Sequence, residues 1–223
     1  MAARELRIDV PGAGSVTAVR SDAARATWTF TYAPGAGANV RDPFGAFAAE
    51  HLPREGVSVL RFQFPYMEAG RRSPDRPAVL EATWRAVLAA LPRGGRVVAG
   101  GRSMGGRIAS QVVAAGERVD ALCLFAYPLH PPGRPDQARI EHLPLIRVPA
   151  LFCSGTNDAF GAPEELREAA RLVRRSRVHL LEGADHGFAV RKTSGRTRED
   201  VWGEALAALT AWLSGLKAGK GGR

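Results

Sequence analysis

Short apolar runs alternate with amphipathic segments along most of the chain. Seven runs have strand character: residues 6–10, 27–32, 57–62, 96–99, 121–125, 150–154 and 178–182. Val97, Val98 and the run 122–125 are apolar without alternation, the pattern of strands covered on both faces. Between the runs lie helical periods. Leu80, Trp84, Val87, Leu88 and Leu91 share one helix face, and so do Trp202, Ala205, Leu206, Leu209, Trp212, Leu213 and Leu216. Thr197 with Asp200 opens the last of these as a capping box, and Pro163, Glu164 and Glu165 look like the first turn of another helix. The stretch 127–149 is rich in proline, has no period, and reads as a long connection. Strand and helix patterns in alternation predict an α/β protein, a mostly parallel sheet with helices on both faces.

Length and composition narrow the picture only a little. The 223 residues suit one domain over 1–223, with 45% hydrophobic and 24% charged residues, enough for a sizeable core. No apolar run approaches the roughly 18 residues that span a bilayer, and the arginine- and acid-bearing N-terminus does not read as a secretory signal. Cys123 and Cys153 sit inside apolar runs and are expected to be reduced core thiols, so a cytoplasmic location is expected. The net charge of +9 invites a nucleic-acid reading. Only three basic residues are lysines, and the arginines are scattered, which reads as compositional bias. No nucleic-acid or membrane partner is expected. The segment 217–223 reads as a flexible basic tail.

The candidate chemistry lies where strand patterns end. Gly101-Arg-Ser103-Met-Gly105 follows the run 96–99 and precedes a helical stretch with Ile108, Val112 and Val113. A serine between glycines at a strand–turn–helix corner is a nucleophile elbow: the turn is sharp, and the backbone passes too close to its neighbours for side chains. A serine hydroxyl needs a base, and the base an orienting acid. Asp158 follows the run 150–154, and His186 follows 178–182. Both therefore fall at the carboxyl edge of the sheet, with Ser103, in the order Ser–acid–His. Asp185 directly precedes His186 and is read as an exposed turn residue. His179 is read as structural. No metal site or cofactor is expected, because no Cys/His/Asp spacing suits one. The N–H groups of Ala36 and Met104 are candidates for an oxyanion hole, Met104 because it follows the nucleophile, and Ala36 because 33–39 is a small-residue loop after the run 27–32; Gly35 and Gly37 remain alternatives to Ala36.

These segments carry a resemblance. Pro34-Gly-Ala-Gly37 with Asp42-Pro-Phe44, Phe62-Gln-Phe-Pro-Tyr66, Gly101-Arg-Ser-Met-Gly-Gly106, Tyr127-Pro-Leu-His-Pro-Pro132, Gly155-Thr-Asn-Asp158 and Gly183-Ala-Asp-His-Gly-Phe188 span most of the chain. Together they resemble the α/β-hydrolase superfamily in its dienelactone-hydrolase-like branch. Within it, they resemble the small hydrolase-like family that includes the testis-expressed hydrolase-like protein and subunit three of the non-specific-lethal chromatin complex. The resemblance implies an α/β-hydrolase fold, and the distance between the elbow and Asp158 leaves little space for a lid. The resemblance also implies Ser103 as nucleophile, Asp158 as acid, His186 as base, and oxyanion donors near Ala36 and Met104. The chain departs from the superfamily where the usual histidine of the oxyanion loop is Pro34, and from dienelactone hydrolases proper in having serine rather than cysteine as nucleophile. The expected activity is serine-dependent hydrolysis of small carboxylic esters or thioesters. The alternative is a catalytically weak module for protein interaction. By position alone, the expected pocket residues are Phe44, Tyr66, Met67, Tyr127, His130 and Phe160.

Overall fold

In the computed structural model, residues 3–216 are described. The basic tail expected at 217–223 lies outside them. Eight strands form one sheet: β1 (Arg4–Val10), β2 (Gly14–Ser21), β3 (Trp28–Ala33), β4 (Val57–Phe62), β5 (Arg96–Arg102), β6 (Ala121–Phe125), β7 (Ala150–Gly155) and β8 (Ser176–Leu181). Their order is β1-β2-β4-β3-β5-β6-β7-β8. β1, β2 and β4 pair antiparallel; β4, β3 and β5 to β8 run parallel. This is the α/β-hydrolase fold that the resemblance implies.

Among the described residues six α-helices cover the sheet: α1 (Pro43–His51), α2 (Pro65–Glu68), α3 (Pro77–Ala89), α4 (Met104–Ala114), α5 (Pro163–Arg171) and α6 (Arg198–Gly215). Strand alternation divides the core into two layers. Leu60 and Phe62 of β4, Leu122 and Leu124 of β6 and Phe152 of β7 pack with Trp84 of α3, Ile108 and Val112 of α4, and Leu166 of α5. Val57 and Val59, Cys123 and Phe125, and Leu151 and Cys153 point the other way, against Phe44 and Ala48 of α1 and Trp202, Leu206 and Leu209 of α6. The α6 start is the capping box read from Thr197, whose side chain accepts from the Asp200 N–H.

Sequence reading misses three elements. β2 is a strand of mostly small and polar residues whose only large apolar side chains are Val16 and Val19. α1 is built on Pro, Gly and Ala and carries little periodic signal. α2 is a single turn. The connection 126–149 carries only two short 3-10 turns, Pro135–Gln137 and Leu143–Leu145, so no helical lid is inserted there.

Both cysteines are free and fully enclosed in the sheet. Burial pushes each thiol above its ordinary value, and for Cys123 the neighbouring Cys153 adds to the effect. The thiolate, the reactive form, is thus suppressed at neutral pH. The folded protein is expected to resist iodoacetamide at pH 8, with both thiols alkylating once it is unfolded. Mass spectrometry of protein treated before and after denaturation checks this, and rapid native alkylation would contradict it.

Candidate active site

Ser103 stands between β5 and α4 with φ 53° and ψ −121°, a conformation costing about 1–3 kcal/mol for a residue with a side chain. Neighbouring backbone holds it there. The Ser103 N–H donates to the Phe125 carbonyl at the end of β6 (2.9 Å), and the Ser103 carbonyl accepts from Arg107 (3.0 Å). The glycines around it follow from the same crowding. A Cβ on Gly101 would lie 2.0 Å from the Ala33 carbonyl oxygen, and on Gly105 2.3 Å from that same oxygen and 2.5 Å from that of Pro34. One on Gly100 would meet the Cys123 carbonyl oxygen at 1.8 Å. The elbow is thus wedged between the ends of β3 and β6, and the start of α4 is further tied to α3 by the Trp84 indole, which donates to the Gly105 carbonyl (3.2 Å).

Asp158 and His186 arrive on the loops after β7 and β8. Those loops are bound together: Asn157 N–H donates to the Ala184 carbonyl (2.9 Å), its side-chain amide to the Gly183 carbonyl (3.0 Å), and the Gly183 N–H to the Thr156 hydroxyl (2.8 Å). Asp185 is exposed, as expected, and its carboxylate accepts from Gly187 and Ala189, shaping the turn that presents His186. The turn is anchored from below by Phe188, fully buried against Phe44 and Phe125.

The three side chains form one hydrogen-bonded chain. His186 Nε2 lies 2.9 Å from Ser103 Oγ, and His186 Nδ1 lies 2.9 Å from each Asp158 carboxylate oxygen. A carboxylate only accepts, so Nδ1 carries hydrogen and Nε2 of a neutral ring faces the hydroxyl as acceptor. The Asp158 side chain is only 1% exposed. A buried carboxylate is costly unless its oxygens are bonded. Besides His186, Asp158 accepts from the Phe160 N–H (2.9 Å) and the Ser154 hydroxyl (3.3 Å). Phe160 also stacks on the His186 ring, with centroids 4.1 Å apart.

This chain opens into a cavity of about 360 Å³ lined by Gly35, Ala36, Met104, Pro128 and Phe160 beside Ser103 and His186, with Arg102, Arg107 and Arg139 completing its wall. The 33–39 loop lies directly on Ser103: a Cβ on Gly35 would be 3.5 Å from Ser103 Cβ. Ala36 and Met104 both border the cavity. As the first residue of α4, Met104 has an N–H with no acceptor inside its helix. The Gly37 N–H is engaged by the Tyr66 hydroxyl (3.0 Å), which removes it as an alternative to Ala36. Pro34 is buried against the start of α4, at a place where the histidine usual in this loop is absent.

Of the pocket residues expected from sequence, only Phe160 lines this cavity; the other five are corrected. Phe44 is fully buried on the α1–α6 face, beneath the His186 turn. Tyr66 is fully buried and braces the Ala36 loop from behind. Met67 packs on the opposite core layer. Tyr127 is buried with its hydroxyl donating to the Arg139 carbonyl (3.0 Å). His130 borders a second cavity of about 320 Å³, its ring held by the Pro131 carbonyl (2.8 Å) and Glu165 (3.3 Å). Position after a strand gives no side-chain direction, and four of the five point inward. His179 bonds Glu204 (2.9 Å), the structural role expected. Sequence reading misses the three arginines. Arg102 and Arg107 flank the elbow, so their spacing to Ser103 was the available signal; Arg139, in an aperiodic loop, offered none.

Residues 26–214 match the family model of the alpha/beta hydrolase domain, and the chain belongs to that family. Similar solved structures include an α/β serine hydrolase without lid from Xanthomonas campestris, 21% identical, with a TM-score of 0.73 over 97% of this chain and 96% of that one. A dienelactone hydrolase from Anabaena variabilis is 20% identical, with a TM-score of 0.73 over 96% of this chain and 97% of that one. A cold-adapted esterase from an Arctic intertidal metagenomic library is 16% identical, with a TM-score of 0.69 over 94% and 93% of the two chains. At these identities the likeness is one of fold.

The wedge at the elbow predicts contrasting effects of two glycine substitutions. Gly105→Ala is expected to destabilise by about 1–3 kcal/mol, because the added methyl meets backbone that cannot swing aside. Gly203→Ala, inside α6 with no atom in reach of the new methyl, is expected to stabilise by about 0.5–1 kcal/mol. Urea unfolding of the two variants beside the parent measures both; a neutral Gly105→Ala would refute the wedge.

Proposed function

We propose that this protein is a serine hydrolase that cleaves carboxylic esters or thioesters of small substrates through an acyl-enzyme on Ser103. The observation that carries the reading is the unbroken hydrogen-bond chain from Ser103 Oγ through His186 to the buried Asp158, opening on a cavity of about 360 Å³. In this reading His186 Nε2 takes the hydroxyl proton as Ser103 Oγ bonds to the substrate carbonyl carbon. Asp158 holds the ring in its tautomer and stabilises the imidazolium. The N–H groups of Ala36 and Met104 receive the negative charge on the carbonyl oxygen, helped by the positive end of α4. The bond to the alcohol or thiol breaks, and that leaving group departs with the proton from His186. Water, deprotonated by His186, then attacks the acyl carbon; the proton returns to Ser103 and the carboxylic acid leaves.

Among the described residues no helical lid covers the cavity, which supports small and varied acyl substrates. The free buried thiols fit a cytoplasmic setting. The run Tyr127-Pro-Leu-His-Pro-Pro132 supports placing the chain near the testis-expressed and non-specific-lethal hydrolase-like proteins.

The test is hydrolysis of 4-nitrophenyl butyrate by the parent and two variants. Ser103→Ala and Asp158→Asn are each expected to lower kcat by about 10³-fold or more, with unfolding midpoints showing both still folded. Full activity in folded Ser103→Ala would refute the mechanism.

A further inference from the structure

The cavity at Ser103 is small, yet three of its wall residues are arginines. Arg102 has a carboxylate nearby, Asp42, at 3.9 Å. Arg107 and Arg139 form no ion pair among the described residues; Arg107 has only the Gln111 amide oxygen, at 3.3 Å. The Nε groups of Arg102 and Arg107 are buried without a hydrogen-bond acceptor among the described residues. Arg107 and Arg139 therefore border the cavity with no carboxylate of the described residues to balance their charge. Arg107 and Arg139 also border the cavity together and repel: burial, with Arg139 adding to it, lowers the Arg107 guanidinium from its ordinary value. Like charges gathered in one cavity are stabilised by an anion between them.

The two arginines are also held in place. Arg107 leaves the first turn of α4, its N–H bonded to the Ser103 carbonyl. Arg139 is clasped on both sides of its backbone: its N–H donates to the Leu129 carbonyl (2.7 Å), and its carbonyl accepts from the buried Tyr127 hydroxyl (3.0 Å). Tyr127 and Leu129 thus fix an arginine from an otherwise irregular connection at the mouth of the site. An ordinary surface arginine needs no such clasp.

We propose that Arg107 and Arg139 form an anion subsite, so that the substrate is an ester or thioester bearing a carboxylate or phosphate group a few bonds from its scissile carbonyl. The claim about substrate rests on the hydrolase reading of Ser103; the anion subsite can be measured without it.

Calorimetry on the Ser103→Ala protein, at low ionic strength, with monomethyl glutarate, inorganic phosphate and neutral dimethyl glutarate tests the subsite. At least one anion is expected to bind, more tightly than the diester; the tighter of the two identifies the group. Arg107→Gln and Arg139→Gln, each confirmed folded by its melting curve, are expected to weaken that binding by about 10- to 100-fold. Binding of neither anion, or binding unchanged in both variants, overturns the proposal. In parallel, the protein with Ser103 intact is expected to hydrolyse mono(4-nitrophenyl) glutarate with kcat/KM about 10-fold or more above its neutral methyl ester, and Arg139→Gln to bring that ratio near one. An equal ratio with Arg139 intact overturns the substrate claim. Arginine-dependent anion binding with neither ester hydrolysed would leave the subsite standing and bring down the hydrolase reading instead.

Discussion

The site depends on how closely the backbone packs around Ser103. The serine occupies a strained left-handed turn, and three pieces of backbone hold it there. The Ala33 carbonyl presses on Gly101 and Gly105, the Cys123 carbonyl on Gly100, and the Phe125 carbonyl accepts the serine N–H. The strain projects the hydroxyl out of the sheet edge and leaves the first N–H of α4 beside it. The same contact between Ala33, Pro34 and the start of α4 lays the Ala36 loop over Ser103. One steric constraint thus sets both the Ser103 hydroxyl and the candidate oxyanion donors.

The rest of the site is built outward from that corner. Parallel strands deliver the loops after β7 and β8 to the same edge, where the Asn157 and Thr156 bonds hold them as one unit. His186 is positioned at three levels: Asp158 fixes its tautomer, Phe160 its ring plane, and Phe188 the height of its turn. Phe188 in turn rests on Phe44 and Phe125, so the α1–α6 core layer supports the histidine from below. Packing, and not loop chemistry alone, makes the geometry.

What the sequence made legible follows the same division. Ser103, Asp158 and His186 could be found because each has a required place relative to a strand end, and strand ends are marked by apolar runs and glycines. Seven of the eight strands could be read in this way; β2 could not, because its alternating face is carried by Val16 and Ala18 among polar residues. Pocket residues were mostly illegible. Phe44 and Tyr127 lie where a pocket residue could lie, but which way a side chain turns is decided by packing that no local pattern records. Tyr66 and Tyr127 act from behind, bracing the Ala36 loop and Arg139. The arginines were hidden by abundance: in a chain with 31 basic residues, the few at the cavity look like the rest until the fold gathers them.

Activation of Ser103 by His186 within this geometry is open to direct measurement. A fluorophosphonate reacts with an activated serine and spares ordinary ones, and the adduct can be located by peptide mass spectrometry. A single adduct is expected, on Ser103, formed within minutes in the parent protein and suppressed in folded His186→Ala. Folded protein that acquires no adduct, or one formed at an unchanged rate without His186, would contradict that activation.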